Sequence, residues 1–127
     1  MSLWTFKGYV DENGVNVFDE WYKELPPAAQ AKVDWLIDEL FPTRQFIDWG
    51  AKYIKKITDD IYEVRFEINR ICYRPLGAFA PNKNDFTFLI GVIKKTKIPQ
   101  STIDIAEKRL STIKNNPERA KKCELET

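Results

Sequence analysis

The sequence predicts an α+β fold: a small, mostly antiparallel (mixed) sheet with an N-terminal helical hairpin and a C-terminal helix. Three observations carry this expectation. Apolar residues repeat at helical spacing twice before residue 41 and once more after Pro99. Between these stretches, residues 61–74 alternate with the period of a strand, and residues 86–93 are apolar on both faces. Helices and strands also come in runs rather than as alternating βα units, which favours α+β over a parallel α/β sheet.

Residues 3–10 are rich in aromatic and β-branched side chains and run into Asp11-Glu12-Asn13-Gly14, a turn signal, so they read as a strand. Asn16 and Asp19 resemble a capping pair, and Phe18, Trp21, Tyr22 and Leu25 then form one helical stripe. Pro26-Pro27 ends that helix and opens the next, since the first helical turn does not need the missing N–H. Val33, Leu36, Ile37 and Leu40 continue the second helix. Residues 53–57 form a short strand closed by a turn at Asp59-Asp60. In residues 61–68, Tyr62, Val64, Phe66 and Ile68 fall on one face and Glu63, Arg65 and Glu67 on the other. Residues 69–74 continue as a second strand, with Ile71 and Tyr73 opposite Arg70, Cys72 and Arg74. A loop at residues 81–85 leads to the central strand, residues 86–93. Pro99 opens the last helix, whose stripe is Ile103, Ala106, Leu110 and Ile113, and Asn115-Asn116-Pro117 stops it.

At 127 residues one domain is expected, spanning 1–127, with a core of about 3–115 and a charged tail, 116–127, that is frayed or partner-dependent. With 43% hydrophobic and 13% aromatic residues the chain is too apolar to be disordered. It has no histidine, which removes His-based triads, Cys2His2 zinc and imidazole acid–base chemistry. Its two cysteines, Cys72 and Cys123, lack metal-site spacing and do not make a disulfide framework, although a single bridge stays open. The N-terminus lacks the apolar stretch of a signal peptide, and no apolar run approaches the roughly 20 residues of a membrane helix. A soluble, cytoplasmic protein without a membrane partner is the expectation.

The formal net charge of +1 argues on its face against a nucleic-acid binder. Its distribution changes that meaning. Residues 1–43 carry 3 basic and 8 acidic side chains, residues 44–97 carry 11 and 6, and residues 98–127 carry 6 and 5. The acidic third is helical and the basic middle is the sheet. Alternation places Arg65, Arg70 and Arg74 on one face, with Lys94 and Lys95 at the end of the central strand and Lys52, Lys55 and Lys56 nearby in sequence. Such a face suits phosphate, because Arg offers forked donors and Lys a point charge. An open sheet face with solvated charges, partly paired with Glu63 and Glu67, explains the same pattern.

Three segments carry a family resemblance: Ile61-Tyr62-Glu63-Val64-Arg65-Phe66, Arg70-Ile71-Cys72-Tyr73-Arg74-Pro75-Leu76-Gly77, and residues 86–96 ending in Lys94-Lys95-Thr96. Followed by Pro99 and the Ile105-Ala106-Glu107-Lys108-Arg109 stretch, they resemble the RelE/ParE superfamily of type II toxins, in particular its phage-derived, HigB-like branch. The resemblance covers roughly residues 17–113. It implies a compact RelE-like fold and ribosome-dependent, metal-independent cleavage of mRNA, in which the ribose 2′-OH attacks the adjacent phosphate. It implies as partners a cognate helix-turn-helix antitoxin, the ribosome and mRNA, with no cofactor. Residue by residue, it places Arg65, Arg70, Lys94 and Lys95 on the basic active face. Alternation adds Arg74, and Lys56 joins as a further phosphate contact.

The chain departs from relatives that place a C-terminal tyrosine or histidine beside the scissile phosphate, because no aromatic residue follows Phe88. A general base then has to be Glu63 or a lysine. A glutamate so placed is more often an ion-pair partner, here for Arg65, than a catalyst. Tyr53 and Tyr73 are the aromatic side chains able to stack a base, Tyr73 sitting on the core parity. Trp21 and Trp35 read as core or interface anchors, while Trp4 and Trp49 have no clear place. Gly91 in the central strand marks close approach of a neighbour. Two other functions fit the same fold: a non-catalytic protein that acts on a partner, as in ParE-like inhibition of gyrase, and a protein retained only to bind an antitoxin.

Overall fold

The computed structural model describes residues 2–125. Its main sheet has six strands: β1 (Thr5–Tyr9), β2 (Ile54–Lys56), β3 (Tyr62–Val64), β6 (Leu76–Phe79), β7 (Asp85–Ile90) and β8 (Ala120–Lys122). Their order is β2-β3-β6-β7-β1-β8, and every pairing is antiparallel except that of β1 with β7. A separate two-stranded hairpin is made by β4 (Phe66–Ile68) and β5 (Ile71–Tyr73). The fold is α+β with a mixed, mostly antiparallel sheet, as the sequence predicts.

Helix α1 (Val17–Lys23) starts where expected, because the Asn16 side chain accepts hydrogen bonds from the Phe18 and Asp19 amides. Helix α2 (Pro27–Trp35) begins at the second proline and continues as a π-helical turn, Leu36–Leu40. Helix α3 (Gln100–Asn115) follows Pro99. The helical hairpin covers one face of the sheet, where Phe18 stacks on Phe88 at 4.0 Å. On the other face Ala106, Leu110 and Ile113 of α3 pack with Leu76 and Leu89. Strand β7 therefore needs apolar side chains on both sides, Phe86 and Phe88 toward the hairpin and Leu89 toward α3. Trp49 is buried in the first cluster, stacked on Phe41 at 4.3 Å with Trp4 edge-on at 5.3 Å. A methyl group on Gly91 would lie 2.3 Å from the Trp21 ring, which is the close neighbour the sequence suggested.

Three expectations are corrected. Residues 61–68 are not one strand: Arg65 separates β3, which stays in the main sheet, from β4, which leaves it. Arg70 is not a strand residue, because Asn69 and Arg70 have φ of 50° and 69° and form the two-residue turn between β4 and β5. The tail is not wholly frayed, since a 3-10 turn at Pro117–Arg119 leads into β8, which pairs antiparallel with β1. Strand β6 was not foreseen. Both cysteines are free. No helix among the described residues is long and apolar enough to cross a membrane.

Candidate functional site

Glu63 has no exposed surface, and it organises the basic residues around it. On β3 it points to the opposite face from its neighbour Val64. Arg74 Nε donates to Glu63 Oε1, and Arg65 Nη1 lies 3.8 Å from Glu63 Oε2. That second oxygen is buried and accepts no hydrogen bond. A carboxylate this deep is tolerated only with charge beside it, which the two guanidiniums provide. Arg74 also donates from Nη1 to the Thr96 carbonyl at 2.6 Å and to the Lys94 carbonyl at 3.3 Å. It thus braces β3, the end of β5 and the segment after β7 together. Backbone bonds reinforce this tie: the Arg74 amide donates to Val92 and the Lys94 amide to Cys72.

Two clefts open on either side of Arg65, Cys72 and Arg74, which line both. The larger, about 470 Å³, adds Lys55 and Lys56 from β2 and Lys95 and Lys97 from the segment before α3. Among the described residues no carboxylate side chain lines it. The smaller, about 280 Å³, adds Lys32 from α2, Lys52, Tyr53, Phe66 and Glu67. Short β2 pairs with β3 in the register Lys55 to Glu63, which sets its lysines beside the arginine pair. Arg65 keeps 45% of its side chain exposed while Arg74 keeps 11%, so Arg65 is the guanidinium free to meet an anion.

Of the residues singled out from sequence, the fold brings Arg65, Arg74, Lys56 and Lys95 to these clefts and puts Glu63 beneath them. Arg70 and Lys94 are exposed but do not line either cleft. Arg70 is carried off by the hairpin turn, and Lys94 contributes its backbone to Cys72 and Arg74. Lys56 also approaches Asp59 at 3.7 Å, across two exposed side chains. Tyr73 is buried and stacks on Phe66 at 5.1 Å, whereas Tyr53 reaches the smaller cleft. Lys32 was missed, because it belongs to the acidic helical third of the sequence. Its signal was the i, i+3 pair with Trp35, over whose ring it sits at 4.3 Å. Among the described residues no three Cys, Asp or Glu side chains are grouped to hold a metal ion.

A family model described as phage-derived protein Gp49-like (DUF891) matches residues 20–111. The chain belongs to the Gp49-like family. That family is toxin-like and related to RelE. No curated protein matches the chain. The Gp49-like region runs from within α1 to near the end of α3 and contains every side chain that lines the two clefts. β1 and β8, at the other side of the sheet, lie outside it.

Proposed function

We propose that this Gp49-like chain is the toxin of a type II toxin–antitoxin pair, on the HigB-like side of the RelE/ParE superfamily, and that it cleaves mRNA on the ribosome. The observation that carries the proposal is the cleft in which Arg65 stands beside four lysines with no carboxylate lining it among the described residues, and with the buried Glu63 carboxylate 3.8 Å from the guanidinium. An RNA strand laid along this cleft presents a phosphate to Arg65. The neighbouring ribose 2′-OH attacks the phosphorus, the bond to the 5′ oxygen breaks, and a 2′,3′-cyclic phosphate and a 5′-hydroxyl end result. Negative charge grows on the phosphoryl oxygens, and a fixed cation beside them lowers the barrier. Arg65 supplies that cation. Arg74, with two of its nitrogens already committed, holds the cleft in shape. Glu63 is out of a hydroxyl's reach and acts as a positioning residue, leaving Lys56 and Lys95 as the groups that exchange protons with the RNA. Arg70 and Lys94 meet RNA or ribosome outside the clefts. A helix-turn-helix antitoxin is the partner that keeps the cell alive.

Induced expression in growing bacteria tests this: growth stops, and mapped mRNA ends show new 5′-hydroxyl termini in translated regions. Continued growth with intact messages contradicts it. The commitment of Arg74 to Glu63 and two carbonyls favours a second possibility, a non-catalytic protein that arrests growth by binding a partner such as gyrase. In that case growth stops with messages intact, and purified protein blocks DNA supercoiling.

A further inference from the structure

The smaller cleft has a feature that general attraction for phosphate does not require. Lys32 Nζ stands 4.3 Å from the Trp35 ring and 5.1 Å from the Tyr53 ring, and 3.3 Å from the Tyr53 hydroxyl. Lys52 approaches the same tyrosine ring at 5.4 Å. Among the described residues neither ammonium has a carboxylate within ion-pair distance. Two cations are thus held against aromatic faces, which fixes them without neutralising them. From Tyr53 the cleft leads to Arg65 and Arg74, the guanidiniums that also border the larger cleft.

We propose that this cleft is the subsite for the nucleotide next to the one that is cleaved. Lys32 and Lys52 take its phosphate, and the base packs on the apolar wall made by Tyr53 and Phe66. This rests on the RNA-cleaving function proposed above and adds what part of the strand the protein grips. The volume, about 280 Å³, suits one nucleotide, and single-stranded RNA is the form that can turn a base into it. Glu67, the one carboxylate in the lining among the described residues, is able to accept a hydrogen bond from a base amino group.

The test is fluorescence anisotropy with a labelled five-nucleotide single-stranded RNA at several salt concentrations. Relative to wild type, the Lys32→Met/Lys52→Met protein binds roughly tenfold more weakly, and the slope of log affinity against log salt falls by about 0.7, one phosphate contact. Tyr53→Leu weakens binding roughly tenfold with the slope unchanged, the signature of lost stacking. Lys52→Met alone, at an exposed position, shows a smaller loss in the same direction as the double variant. Lys121→Met/Lys122→Met, on β8, binds as wild type. Wild-type affinity and slope in the lysine variants overturn the subsite, as does a wild type that binds no RNA. Normal binding and the expected variant losses in a protein that leaves ribosomal mRNA intact instead overturn the nuclease function, and the cleft then stands only as a nucleotide-binding site on an RNA-binding protein.

Discussion

Glu63 shows how one buried side chain decides what its neighbours can do. Two guanidiniums converge on it, and its second oxygen has only the charge of Arg65 nearby. Removing the charge with Glu63→Gln leaves Arg74 uncompensated, with an expected loss of about 3 kcal/mol, read as a lower urea midpoint. If Glu63 were the proton acceptor, the same substitution would abolish cleavage even under conditions where the variant is still fully folded. Asp38 behaves in the opposite sense. Asp38 is exposed, but the partial desolvation of its carboxyl, with the Asp34 and Glu39 carboxylates adding to it, raises its pKa above the ordinary value of 3.8, an effect that solvent and salt reduce. A carboxyl raised in the folded state opposes folding once it ionises, so its penalty grows as pH climbs from about 3.8 through the raised value. Asp38→Asn should therefore raise the thermal midpoint at pH 7 and make no difference near pH 3, where both states hold the proton. A gain of equal size at both values would place its origin outside titration.

At the scale of elements, the β4–β5 hairpin is where sequence and structure part most clearly. Period-two alternation through residues 61–74 announces strands, and strands are there. Alternation carries no information about which sheet a strand joins, so the departure of β4 from the main sheet at Arg65 was hidden. The Asn69-Arg70 turn was hidden too, since arginine is an unusual residue at a positive φ. Strand β6 escaped notice because Pro75 and Gly77 demote the stretch, and β8 because two of its three residues are lysine. The helices, by contrast, were legible down to the Asn16 cap and the proline that opens α2, since caps and prolines act locally. The turn also makes a clean test of Arg70. Glycine adopts its backbone conformation without penalty, so Arg70→Gly keeps the hairpin and removes only the charge. Cleavage is expected to fall less than tenfold, against a far larger loss at Arg65. A loss at Arg70 as large as that at Arg65 would mean that the hairpin tip folds over the scissile phosphate.

For the whole molecule, the near-neutral charge conceals a division of labour. The acidic first third supplies most of the helical layer, and the basic middle supplies β2, the hairpin and the segment before α3, which together wall the two clefts. That division was readable by counting charges along the chain. The addition of Lys32 from the acidic third was not, because only the packing of α2 against Tyr53 brings it there. Cations gathered by tertiary structure, rather than by net charge, are what give a protein of formal charge +1 the basic surface on which the proposed RNA function rests. The most direct measurement is cleavage of a translated mRNA by purified ribosomes and purified protein, wild type beside Arg65→Ala. Wild type is expected to leave 5′-hydroxyl ends, and Arg65→Ala to slow cleavage by about 10²–10³-fold under conditions where it is still folded, its urea midpoint lowered because the buried Glu63 loses the charge beside its second oxygen. Equal rates in the two proteins would contradict the assignment of Arg65, and no cleavage by the wild type would contradict the function itself.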